Sequence, residues 1–166
     1  MTAPPPPRER VVKVADWAAE RGDAVLVTLG LGSCVAIMLH DPRARAGAMA
    51  HVLLPSKSLA RDVTKAAKFP ETAVPLLIER LVALGAESRR LVAKLAGGAS
   101  MFAQLMTPGS VQMGERNIAA ARAALRRAGI PVACEAVGGG AGRSVRFHVM
   151  DGRVEIRSVG SDAIVL

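Results

Sequence analysis

A chain of 166 residues, 51% of them apolar, can bury a core without help from disulfides or metal, and its 22 Lys and Arg against 14 Asp and Glu leave a formal charge of +8. No apolar run approaches the roughly 18 residues of a membrane-spanning helix, and the opening MTAPPPPRER lacks the apolar centre of a signal peptide, so neither membrane insertion nor export is expected and a cytoplasmic location is. The basic charge invites a nucleic-acid partner. Yet the arginines are scattered among acids, and three Phe, one Trp and no Tyr cannot supply stacking platforms in number, so nucleic acid is not expected.

Residues 1–9, with four consecutive prolines, read as a solvated polyproline II tail, and residues 10–166 as one domain. Val11 to Ala15 alternates as an opening strand, and Gly22-Asp23 marks a turn. Ala24 to Leu29 is a continuous apolar run, expected as a strand buried on both faces. Gly30 and Gly32 then form a turn that ends at Cys34. Val35 to Leu39 reads as a short helix capped by Ser33, with the β-branched Val35 and Ile37 leaving a strand open. Were Cys34 at a helix N-terminus, backbone amides and the helix dipole would favour its thiolate. Asp41-Pro42 breaks the segment. Ala46 to Leu54 follows as a strand carrying His51 and ending at Pro55.

Ser56 to Lys68 is polar and reads as a surface loop or lid. Glu71 to Leu84 is an amphipathic helix with Val74, Leu77, Ile78, Leu81 and Leu84 on one stripe, in which Pro75 is tolerable only within the first turn. Arg90 to Leu95 is a core strand, and Gly97-Gly98 opens a long loop to Met113. Met101, Met106, Met113 and Phe102 read as packing beneath that loop, with a substrate-facing apolar patch as the other reading. Glu115 to Ala128 is a second helix with Ile118, Ala121 and Leu125 inward. Val132 to Val137 is a strand in which Cys134 reads as core filler. Ser144 to Met150 and Val154 to Val159 form a hairpin around Asp151-Gly152. About eight strands and two or three helices in mixed order imply an α/β or α+β layered domain, a single-domain sandwich of mixed β-sheet with helices.

Little in this order carries chemistry. The glycine-rich stretches lack the third glycine of a dinucleotide fingerprint, and no GxxxxGK[ST] occurs. HExxH and CxxC are absent, so no metal is expected; His40 and His148 read as structural or surface residues. Two far-separated cysteines without a secretion signal fit reduced thiols better than a disulfide framework. By residue type alone, Cys34 reads better as a structural cysteine than as a nucleophile, and Thr28 as an ordinary strand residue. The 17-residue spacing to His51 permits a thiol and its base to face each other across adjacent elements.

Order adds what single motifs lack. The segments TLGLGSC (Thr28 to Cys34) and GAMAHVLLP (Gly47 to Pro55) resemble the signature of the chemoreceptor glutamine deamidase family CheD. Phe69 to Ala73, Leu91 to Ala99, Gly114-Glu115-Arg116-Asn117, Gly129 to Val132 and Val137 to Arg143 follow in that family's order. The resemblance implies a CheD-like fold and hydrolytic deamidation of specific glutamines on methyl-accepting chemotaxis receptors, with glutamyl methyl ester hydrolysis open to the same machinery. It matches Cys34 to the nucleophile, His51 to the general base and acid, and Thr28 to the residue that orients the histidine. It requires no cofactor and implies a CheC-type phosphatase as a further partner. General site logic adds backbone N–H groups near Gly32, Ser33 and Cys34 as holders of the oxyanion. Phe69 departs from the tyrosine that family members often carry. A non-enzymatic adaptor that binds CheC or receptors is the alternative.

Overall fold

The computed structural model describes residues 1–166. Its ten strands are β1 (Arg8–Val11), β2 (Trp17–Arg21), β3 (Ala24–Leu31), β4 (Val35–Asp41), β5 (Ala46–Val52), β6 (Val92–Gly97), β7 (Val132–Val137), β8 (Arg143–His148), β9 (Val154–Ser158) and β10 (Ile164–Val165). The helices are α1 (Pro70–Ala83) and α2 (Met113–Ala128), with short 3₁₀ turns at Lys57–Leu59, Ala66–Lys68, Ser88–Arg90 and Ala103–Leu105. No helix is long and apolar enough to cross a membrane.

The strands form two five-stranded mixed sheets, in the orders β1-β3-β8-β9-β10 and β2-β5-β4-β6-β7. Pairing is antiparallel except for β1 with β3 and β6 with β7. Alternation along each strand sorts the core into two layers. Leu26, Leu31, Val145, Phe147, Val154 and Ile156 of the first sheet meet Ala36, Met38, Met49 and Ala96 of the second. The opposite face of the second sheet, with Val35, Ile37, Leu39, Ala48, Ala50 and Val52, is covered by Val74, Leu77 and Leu81 of α1 and Ile118, Ala121 and Leu125 of α2. The result is a three-layer β/β/α arrangement, a mixed α/β sandwich of the kind the sequence implied.

Several local expectations are corrected. Val35 to Leu39 is strand, not helix: β4 pairs antiparallel with both β5 and β6, and all seven of its residues are buried. A five-residue apolar run has no period long enough to separate helix from strand, and partners on both sides satisfy its backbone. The opening strand lies at Arg8–Val11, because Arg8 to Val11 register with Ala24 to Val27 and the chain then turns at Ala15. Trp17–Arg21, which leads into the Gly22-Asp23 turn, is an edge strand on β5. Pro75 sits at the sixth position of α1, outside the first turn. Its ring faces solvent beside the exposed Glu71, so the carbonyl it leaves unpaired can be hydrated.

Candidate functional site

Three segments converge where the two sheets meet at one end. On the first sheet, β3 carries Thr28 on the same inward face as Leu26, and a bulge between Thr28 and Leu31 bends the strand away directly afterwards, leaving Leu29 and Gly30 exposed. On the second sheet, His51 stands opposite Ala36 in the β4–β5 ladder. Cys34 lies two residues before Ala36, so extending the ladder by one position sets Cys34 diagonally across from His51 on the same face. Cys34 packs on the same intersheet cluster as Ala36 and Met49.

The hydrogen bonds fix the histidine. The Thr28 hydroxyl donates to the Val12 carbonyl at 2.7 Å, which commits its one proton. It must therefore accept from His51 Nδ1, also at 2.7 Å, and that assigns the proton to Nδ1. His51 Nε2 keeps its lone pair, and it is buried with no hydrogen-bond partner. His51 is 1% exposed, whereas Gly32, Ser33 and Cys34 are partly exposed.

Burial sets the charge state. It pushes the Cys34 thiol up from its ordinary value, against a smaller lowering by the residue's own backbone N–H. It pushes the His51 imidazole down, against the pull of the Val12 carbonyl. Both shifts favour an uncharged thiol and imidazole over an ion pair. The thiolate-favouring position at the start of a helix over Val35 to Leu39 is not realised, because Cys34 precedes a strand.

The turn itself is held from one side. Three consecutive carbonyls have donors: Gly32 O from the Ala99 N–H at 2.8 Å, Ser33 O from Asn117 Nδ2 at 2.9 Å, and Cys34 O from the Gly98 N–H at 2.8 Å. The N–H groups of Ser33 and Cys34 donate to no backbone carbonyl. Asn117 Nδ2 also donates to Leu53 O at 3.1 Å, and its Oδ1 is buried without a partner. Sequence reasoning gave Asn117 no role. The signal was present, because Asn117, Ala121 and Ala124 share the inward stripe of α2 and a polar residue there calls for partners.

The glycine motifs now have roles. A Cβ on Gly114 would meet Gly98 O at 2.5 Å and Ala99 O at 2.6 Å, so α2 begins in contact with the backbone that holds the cysteine turn. Arg143 bonds Gly97 O at 2.9 Å and Gly138 O at 2.6 Å, fastening the Gly138–Gly142 loop to the end of β6. His40 donates from Nε2 to Val149 O, and His148 pairs with Glu155, both structural or surface roles as expected. Two readings fail. Cys134 is partly exposed on the edge strand β7 and lines a surface cleft, so it is not core filler. Met101, Phe102 and Met106 do not pack beneath the loop: with Leu105 they are exposed, Phe102 at 69%. The loop projects beyond the layers, and Ser100 to Leu105 wall a cleft of about 630 Å³ with Glu115 and Gly138–Gly140. Met101 Sδ lies against Gly32, which joins this wall to the cysteine turn.

Comparison with known proteins agrees with this architecture. A family model described as CheD chemotactic sensory transduction matches residues 53–158, a span beginning just after His51. Relatives align across the earlier segments as well. The chain is 41% identical over 152 residues to the chemoreceptor glutamine deamidase CheD of Thermotoga maritima, covering 92% of this chain and 93% of that one. It is 46% identical over 151 residues to the probable chemoreceptor glutamine deamidase CheD 2 of Geobacter metallireducens, covering 89% and 92%. It is 38% identical over 149 residues to the corresponding probable enzyme of Caldanaerobacter subterraneus, covering 90% and 92%. Matched in sequence over almost all of its length, the chain belongs to the CheD family.

Proposed function

We propose that this protein hydrolyses side-chain carboxamides of glutamines on chemoreceptors to glutamate, with Cys34 as nucleophile, His51 as general base and acid, and Thr28 as the residue that orients His51. The observation that carries the reading is the Nδ1–Thr28–Val12 relay, which leaves a buried, unpartnered Nε2 on the sheet face that Cys34 shares. Nε2 takes the thiol proton as Sγ bonds to the amide carbon, and the carbonyl π electrons move to oxygen. The Ser33 and Cys34 N–H groups, which donate to no backbone carbonyl, receive that oxyanion. Collapse breaks the C–N bond, and His51 returns its proton to the departing ammonia. Water, deprotonated by the same Nε2, then cleaves the thioester to glutamate and the restored thiol. The exposed apolar loop beside Gly32 gives a protein substrate a surface to lie on. A CheC-type phosphatase as a further partner rests on family likeness alone.

The test is incubation with a purified receptor cytoplasmic fragment, following ammonia release and the matching mass gain at individual glutamines. Binding without release would support the adaptor alternative and sink the enzymatic one. Two further outcomes are expected. Thr28→Val removes the hydroxyl at nearly constant shape and frees the ring to take the other tautomer; kcat should fall about 10- to 100-fold with KM unchanged, less than the roughly 10⁴-fold seen when an orienting carboxylate is lost. In the pH profile, protonated His51 cannot accept the thiol proton, so kcat/KM should fall only as pH drops through a value below the ordinary 6.5 of histidine. The plateau should extend above pH 9.0, because burial raises the thiol. Activity that instead keeps rising with pH up to the raised thiol value would make bulk-generated thiolate the reactive form and remove His51 as the base.

A further inference from the structure

We infer that Asn117 is a positioning residue that aims the Cys34 backbone N–H at the oxyanion; this rests on the reading proposed above. A trans peptide is planar, with its C=O and N–H pointing in opposite directions, so whatever holds the carbonyl of residue i aims the N–H of residue i+1. The Ser33–Cys34 peptide is held through Ser33 O by Asn117 Nδ2, 2.9 Å away. The Cys34 N–H therefore points away from α2 and keeps no backbone acceptor of its own. The neighbouring peptides, Gly32–Ser33 and Cys34–Val35, are held in the same way, but by the main-chain N–H groups of Ala99 and Gly98. Asn117 supplies the single side chain in this set of three, and it holds the middle peptide.

Its other hydrogen goes to Leu53 O, two residues beyond His51. One NH₂ group thus ties the turn bearing Cys34 to the strand end bearing His51. Both partners are acceptors, so the amide cannot be turned over. The cost of this arrangement is visible in Oδ1, buried and unpaired on a fully buried residue. A side chain serving stability alone would not strand an acceptor in the core, whereas one needed for its two donors would. Gly114, three residues earlier on the same side of the helix, seats α2 against Gly98 and Ala99 closely enough to fix where Asn117 begins.

The experiment compares the full-length protein with its Asn117→Ala and Asn117→Asp variants; the aspartate keeps the shape and removes both donors. Three readings are taken: deamidation of the receptor fragment, alkylation of Cys34 by iodoacetamide, and hemithioacetal formation with a peptide bearing a side-chain aldehyde in place of the glutamine carboxamide. Loss of an oxyanion donor should lower kcat about 10²- to 10³-fold with KM little changed, and weaken the aldehyde adduct by a comparable factor. Alkylation is substitution at a saturated carbon and develops no oxyanion, so its rate should stay within about threefold of wild type. Alkylation and carbonyl addition falling in parallel, or kcat unchanged in both variants, would overturn the inference. A wild type that forms the aldehyde adduct but releases no ammonia would refute the proposed substrate and leave the adduct ratio to decide the role of Asn117. If neither variant folds by circular dichroism, Asn117 is structural and the inference fails.

Discussion

Cys34→Ala protein is expected to release no ammonia from receptor glutamines, a loss of about 10⁴-fold or more, while keeping its fold and its binding of the receptor fragment. Cys34 is partly exposed at the edge of the intersheet core, so removing sulfur opens no large cavity. What disappears is the only atom able to form the thioester. His51→Ala should lose nearly as much, and the double variant little more than either, because base and nucleophile act as one unit. Cys34→Ser should not rescue, since a neutral imidazole held below its ordinary pKa is a weak base for a hydroxyl. Cys134→Ala should retain full activity: that thiol lies on the edge strand β7 in a cleft with Arg122 and Arg126 and, unlike Cys34, is not packed on the intersheet cluster. Turnover surviving in Cys34→Ala would end the proposed mechanism.

Gly97→Ala is expected to be the most damaging substitution outside the reacting groups. Gly97 has φ +106°, a conformation other residues rarely adopt, and a Cβ there would lie 2.3 Å from Cys34 O and 3.3 Å from Val35 Cα. The obstacle is backbone, so relief requires the chain to shift at Cys34 and the first residue of β4. Strain of this kind costs about 1–3 kcal/mol, and a displacement near 1 Å at a reacting group costs about 10²-fold in rate. The expected result is a midpoint lowered in urea unfolding and kcat reduced by about 10²-fold or more. By contrast, a Cβ on Gly30, which is also at positive φ, would meet nothing within 4 Å, and Gly30→Ala should show backbone strain without the loss of alignment. Equal loss of rate in the two variants would show that the close contact at Gly97 does not position Cys34.

Much of this molecule could be read from the chain alone. The stripes Val74-Leu77-Leu81 and Ile118-Ala121-Leu125 made α1 and α2 legible, because a helix lining one face of a sheet must repeat its apolar positions over several turns. The run from Ala24 and the Asp151-Gly152 turn marked strands for equally local reasons. The family order of TLGLGSC and GAMAHVLLP singled out Thr28, Cys34 and His51. Other features depended on distant partners. Val35–Asp41 is a strand because β5 and β6 supply hydrogen bonds from residues 46–52 and 92–97, and nothing within the segment encodes them. Met101 and Phe102 are exposed because no layer extends beneath their loop.

The sequence by itself determined the residue types of the site, the apolar periods of both helices and the glycines at its turns, since these are properties of short stretches. Only the tertiary structure decided that Thr28 comes from one sheet while His51 and Cys34 come from the other, and that Asn117 reaches the turn from a helix. Those relations are set by how two sheets stack and where a helix seats, and packing of that kind couples residues that share no local period.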